Sequence, residues 1–185
     1  MKACYLAVTI MFLYAGGTFA GTQDQATVVF HAQAFATKAI VVCSNGTPNA
    51  QGLACPDFNA QWPTQAGADV YLVVASAAFD PGIAGLSCGI EFDSTVGMFG
   101  WSLCADLDFP NGGWPASGGG NRITWVASTN CQRYTPEPFV PYTVQAVAGA
   151  FYVYAYGDGV LRITPNNGVA IPELKVADCD ASESD

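Results

Sequence analysis

Ile83-Ala-Gly-Leu-Ser-Cys-Gly-Ile-Glu-Phe-Asp93, then Ser94-Thr95, then Val96-Gly-Met-Phe-Gly-Trp-Ser-Leu-Cys104, is the stretch whose reading decides the fold. Bulky apolar residues recur at every second position in both halves, which is the period of a strand rather than of a helix. With Ser94 and Thr95 as the turn, Asp93 faces Val96, and the register continues through Phe92 with Gly97, Ile90 with Phe99, Cys88 with Trp101 and Leu86 with Leu103. One face of this hairpin is apolar. The other carries Ser87, Gly89, Glu91 and Asp93 opposite Ser102, Gly100, Met98 and Val96, the separation that a half-buried sheet requires.

Outward from the hairpin the pattern repeats. Short runs rich in Val, Ile, Phe, Tyr and Trp, bounded by Gly, Pro, Asn and Asp, predict further strands near residues 26–35, 69–76, 121–129, 148–156, 160–164 and 173–177. No segment holds a helical period for three turns, so the expectation is an all-β, antiparallel β-sandwich. Only 11% of residues are charged against 51% hydrophobic, which excludes a disordered chain and supplies ample material for a core.

At the N-terminus Lys2 precedes an apolar run from Ala3 to Tyr14 and the small-residue ending Thr18-Phe19-Ala20, the layout of an export signal cleaved after Ala20. The run is too short for the roughly twenty residues that a membrane span needs. Residues 21–185 are then expected to form one secreted domain, extracellular, periplasmic or at the cell surface, with no membrane span. Without Lys2, 5 basic residues face 15 acidic ones, a formal charge of −10 that opposes nucleic acid and anionic lipid.

Cys4 leaves with the signal, and the six remaining cysteines read as a disulfide framework. Cys43 and Cys55 bracket a polar, glycine-containing stretch and are paired on that ground, a closure worth roughly 3 kcal/mol. Cys88 faces inward and Cys104 outward in the hairpin register, several positions apart, so those two are not expected to join. Two schemes remain for the other four. Cys104 with Cys131 and Cys88 with Cys179 is preferred over the alternative, for its shorter loop and for the anchor it gives the C-terminal strand.

The runs Asp69-Val-Tyr-Leu-Val-Val-Ala75, Gly82-Ile-Ala-Gly85 and Ile90-Glu-Phe-Asp93 resemble the opening strands of cohesin-like β-sandwiches, with a later echo in Gly149-Ala-Phe-Tyr-Val-Tyr154 and Glu173-Leu-Lys-Val-Ala-Asp178. The chain is also similar to uncharacterised secreted bacterial proteins of one domain sharing stretches like Phe99-Gly-Trp-Ser-Leu-Cys104 and Phe109-Pro-Asn-Gly-Gly-Trp114. These resemblances imply a fold and no activity.

Catalytic chemistry has little to build on. His31 is the only histidine and falls in an alternating strand, where a half-exposed structural role is the plain expectation. Gly100-Trp-Ser-Leu-Cys104 lacks the closing glycine of a nucleophile elbow, and Gly112–Gly120 is followed by no Lys-Ser or Lys-Thr, so it reads as a flexible loop rather than a phosphate cradle. Asp106 and Asp108 are the two residues that an irregular Ca2+ site would use, although the rest of the calcium-loop pattern is missing. No other cofactor is implied. Asn45-Gly46-Thr47 is a formal glycosylation sequon.

Aromatic residues offer the best candidate for ligand binding: Trp114 among Gly and Pro, and Tyr152, Tyr154 and Tyr156 on one face of a strand whose other face shows Phe151 and Val153. The competing reading is ordinary packing, with the tyrosines in cross-strand pairs and Trp114 capping the core. The expected role is a non-catalytic structural or protein-binding module, with carbohydrate binding through exposed rings as the alternative. The partner would be a protein or a polysaccharide at the cell surface.

Overall fold

A computed structural model describes residues 22–34, 43, 58–133, 143–181 and 183–184; the leader, Cys55 and the Asn45 sequon lie outside the described residues. The elements in chain order are β1 (Thr27–Ala34), β2 (Ala66–Ala78), β3 (Ile83–Phe92), β4 (Val96–Leu103), β5 (Leu107–Asn111), β6 (Gly120–Thr124), the one-turn α1 (Ala127–Asn130), β7 (Thr143–Ala155), β8 (Leu161–Thr164), β9 (Lys175–Asp178) and β10 (Glu183–Ser184). They build an antiparallel β-sandwich. One sheet runs β1-β2-β7-β4; the other runs β10-β9-β3-β6-β5, with β8 also paired to β3.

Alternation along the strands makes the core. Ala68, Val70, Leu72 and Val74 of β2 and Phe151 and Val153 of β7 meet Leu86, Cys88 and Ile90 of β3 and Ile123 of β6 between the sheets. The outward set of β2 is covered as well, with Tyr71 and Val73 packed against Val147, Ala150, Phe58 and Cys104. Burial on both faces is why Asp69–Ala75 reads as a nearly unbroken apolar run.

The expected hairpin is not formed: β3 lies in the middle of the six-stranded sheet, and β4 is the edge of the other. Each strand alternates, but each has a different partner, so Asp93-Ser94-Thr95 becomes an arch between sheets. Its turn closes through Val96 N–H to Asp93 O at 2.9 Å. Its other hydrogen bonds run sideways, from Asp93 N–H to Val160 O at 3.1 Å and from Tyr156 N–H to Thr95 O at 2.8 Å. Met98 of β4 pairs with Val153 of β7, and a bulge between Met98 and Gly100 shifts the strand's parity. Met98, Trp101 and Leu103 therefore pack inward, while Phe99, placed opposite Ile90 in the hairpin register, is turned out to 56% exposure.

The disulfides differ from all three expected pairs. Cys43 joins Cys104 (Cα–Cα 5.2 Å) and Cys131 joins Cys179 (Cα–Cα 6.0 Å). Cys88 is free and buried, so neither Cys88 with Cys179 nor Cys104 with Cys131 exists, and Cys43 is not available to Cys55. The orientations expected of Cys88 and Cys104 do hold: Cys88 belongs to the inter-sheet core, and Cys104 packs with the outer cluster, where Cys43 meets it. Parity restricts a cysteine to one face without naming its partner there.

Candidate functional site

The outer face of the four-stranded sheet carries a row of aromatic rings. Tyr152 and Tyr154 leave β7 on the side opposite Phe151 and Val153, at the roughly 6.8 Å spacing of alternate strand residues. Tyr156 extends the row just past the strand, and the β4 bulge adds Phe99 beside Tyr152, with ring centroids 5.7 Å apart. Tyr154 and Tyr156 are 4.8 Å apart and inclined at 52°. Phe99, Tyr152 and Tyr156 are exposed, Tyr154 half-buried, and with Gln65 they bound a shallow depression of about 280 Å3.

Two glycines make room for these rings. Gly67 of β2 and Gly97 of β4 flank Tyr154 in register. A Cβ at Gly97 would come within 2.8 Å of both the Phe99 and Tyr156 rings, and one at Gly67 within 3.2 Å of the Tyr152 hydroxyl. Gln65 secures the end of the row by donating from its side-chain amide to the Tyr156 carbonyl.

Trp114 is not part of this surface. Gly112, Gly113 and Gly118 have φ of 58°, 80° and 85°, a left-handed backbone that folds the loop back on itself. Gly118 N–H then bonds Ile90 O, Ile90 N–H bonds Gly119 O, and Ser117 Oγ bonds the Phe92 backbone, so the loop expected to be flexible is stitched to β3. Trp114 is thereby set between the sheets, with ring centroids 5.3 Å from both Trp101 and Phe151. Core capping is the role it fills.

Both oxygens of Asp106 and one of Asp108 accept from protein donors. Asp106 accepts from Val126 N–H at 2.7 Å and from the Asn130 amide at 3.0 Å, holding α1. Asp108 Oδ2 accepts from Trp101 Nε1 at 3.1 Å and Asn121 Nδ2 at 3.0 Å. Among the described residues no three His, Cys, Asp or Glu side chains gather as metal ligands.

His31 is buried at 5% exposure rather than half-exposed, because the segment at Phe58-Asn59 lies against it. Asn59 N–H donates to Nδ1 at 3.0 Å, and the Gln33 amide lies 2.9 Å from Nε2. With Nδ1 already accepting, the neutral ring carries its proton on Nε2, so the Gln33 amide must turn its oxygen toward the ring. Both nitrogens are occupied by the fold. Burial holds this imidazole below its ordinary pKa of 6.5. The unfolded chain therefore takes up the proton first, and the stability contributed by neutral His31 is complete above 6.5 and lost as pH falls from 6.5 toward the folded value. Denaturant midpoints measured between pH 8 and pH 5 should fall more for the native chain than for His31→Asn. Equal slopes would mean that the ring titrates alike in both states.

Asp69, paired in register with Gln33 on one side and Tyr152 on the other, is 4% exposed, and burial raises its carboxyl above the ordinary 3.8. Its sign is opposite. The protonated form is stabilising below 3.8, and that stabilisation is lost as pH rises through the folded value.

Sequence parity found Tyr152, Tyr154 and Tyr156. It missed Phe99 and Gln65; the glycines at 97 and 100 on either side of Met98-Phe99 were the available sign of a bulge. No family model, curated protein or solved structure matches this chain.

Proposed function

We propose that this is a non-catalytic secreted or cell-surface module that contacts a protein through the row formed by Phe99, Tyr152, Tyr154 and Tyr156. The observation that carries the reading is the exposure of Phe99 and Tyr156, at 56% and 54%, beside Tyr152 at 38% on one sheet face. Exposed aromatic rings gathered contiguously on one sheet face are the kind of apolar patch that marks an interaction surface. An export signal at residues 1–20 and two disulfides fit an oxidising compartment. Among the described residues no helix is long and apolar enough to cross a membrane. Among the described residues the basic side chains Arg122, Arg162 and Lys175 lie on the other sheet, paired with Glu173 or Asp93, and Arg133 is held by the Pro81 carbonyl, so these charges are engaged away from the aromatic row.

The linear spacing of the tyrosines favours a second reading, a polysaccharide strand stacked along β7. The two separate by experiment, with Phe99→Ser/Tyr156→Ser as the probe variant, since both positions are exposed and the fold should tolerate it. Concentration-dependent self-association of the native chain in sizing, abolished by the double substitution, is the expected result. A monomer whose tyrosine fluorescence responds to a polysaccharide panel, with the response lost in the variant, would replace the protein partner by a sugar. A monomer indifferent to every polysaccharide would rule out both self-association and sugar stacking through the row.

A further inference from the structure

The tilt between neighbouring rings divides the aromatic row into two open clefts. Phe99 and Tyr152 are inclined at 46° with centroids 5.7 Å apart, and Tyr154 and Tyr156 at 52° and 4.8 Å. Tyr152 lies three strand residues from the middle of the second pair, roughly 10 Å along an extended chain. Polyproline II advances about 9.3 Å per three-residue turn, so prolines at positions i and i+3 match the two clefts. A ligand of this kind also suits an uncharged aromatic surface: its pyrrolidine rings are apolar, its carbonyls have no internal partner, and little conformational entropy is lost when it docks. The hydroxyls of Tyr154 and Tyr156 supply donors for such carbonyls.

This chain contains a peptide of that composition. Residues 134–142, outside the described residues, read Tyr-Thr-Pro-Glu-Pro-Phe-Val-Pro-Tyr, with Pro138 and Pro141 three apart and Glu137 the one charge. They do not reach the row of their own copy. The residues on either side are fixed at the far end of the sandwich: Gln132 pairs with Ile83, the Arg133 guanidinium donates to Pro81 O, and Thr143 pairs with Ala78. From Thr143 along β7 to Tyr152, the near end of the row, is about 30 Å. A segment of this length, anchored at both ends, extends at most about 18 Å from its anchors.

We propose that the protein partner of the aromatic row is a second copy of this chain, whose proline-rich stretch at 134–142 docks across the two clefts as polyproline II. The inference rests on the protein-binding reading of the row and names its partner. The contact joins an end of one copy to a face of the next. It is therefore heterologous and propagates into rings or open chains instead of stopping at a two-fold dimer.

The test is sizing with light scattering at 0.15 M salt, where repulsion between chains of formal charge −9 is screened beyond about 8 Å. It compares the native chain with a row variant, Phe99→Ser/Tyr156→Ser, and a segment variant, Pro138→Ala/Pro141→Ala, each checked for folding by near-ultraviolet circular dichroism. The native chain should grow beyond a dimer with concentration, and each variant alone should stay monomeric. Mixed, the two should form a 1:1 complex, because the row variant still supplies a segment and the segment variant still supplies a row. A synthetic peptide of residues 134–142, acetylated and amidated, should dissociate the native oligomer; with Pro138→Ala/Pro141→Ala about tenfold more should be needed, since alanine surrenders the preset backbone. This arm requires no variant to fold. A segment variant that associates like the native chain, or a native oligomer that the peptide leaves intact, would overturn the proline-rich stretch while leaving the row as a protein-binding surface. A mixture of monomeric variants that forms no complex would overturn the head-to-tail contact, and a monomeric native chain would overturn the second copy as partner. A row variant that still associates would overturn the reading of the row itself.

Discussion

Phe151→Ala should remove about 3–5 kcal/mol of stability, a large share of the roughly 5–15 kcal/mol of an ordinary domain. The side chain is fully buried and is the common neighbour of Phe30, Trp101 and Trp114, so truncation takes one wall from each of three rings. The strands flanking it cannot close the gap by sliding, because Phe151 sits in register between Val70 of β2 and Trp101 of β4. Urea denaturation should show a large fall in midpoint. Phe151→Leu, which retains most of the volume, should fall by much less. A loss below about 1 kcal/mol in the alanine variant would mean that the three rings repack around the vacancy, contrary to the rigid inter-sheet packing described above.

The second large effect is expected from removing the Cys131–Cys179 bridge. It closes a segment with a sequence separation of 48, which the chain-entropy model values at roughly 4 kcal/mol, with measured bridges typically giving 2–4. The bridge holds Cys179, just past β9, to the segment whose Gln132 pairs with Ile83 at the start of β3. Cys131→Ser/Cys179→Ser should therefore lower the denaturation midpoint substantially and release β9 and β10 first, seen as early loss of amide-exchange protection at Val176 and Ala177. The same preparation permits a thiol measurement. Cys88 is fully buried in the core, and burial pushes its thiol up to about 12. It should resist alkylation in the native protein and react at once in denaturant. A non-reduced peptide map that joins Cys88 to any other cysteine would contradict the structure.

Which side of a strand faces inward was legible wherever alternation was clean. Tyr152 and Tyr154 point out while Phe151 and Val153 point in, Cys88 is in the core, and Cys104 is on the outer face. Which strand lies beside which was not legible, because two adjacent strands joined by a short turn can close as a hairpin or arch between sheets. The choice belongs to β7, far along the chain, which takes β4 as its neighbour. The strand β5 escaped notice for a chemical reason: it contains Asp108 and Pro110, and proline is admitted to a sheet mainly at an edge, where β5 lies. The expected strand over 121–129 stops at Thr124, where Trp125 N–H bonds Ala84 O and Asp106 captures the Val126 N–H to begin α1. The candidate site was half legible for the same reason: the tyrosines obey period two, while Phe99 reaches them only through a bulge and Trp114 leaves them through a glycine-rich loop.

The arch at Asp93–Thr95 also bears on the order in which the molecule can be made. Had β3 and β4 closed on each other, they would have supplied a local nucleus that could form as soon as residue 104 was available. Instead β4 must wait for Gly149–Ala155, and β3, which β6 can join by residue 124, gains its other neighbours only from Leu161–Asp178, so both sheets are completed by long-range pairings when almost the whole chain is present. Such a topology folds slowly, with loop-closure entropy spent before the contacts form.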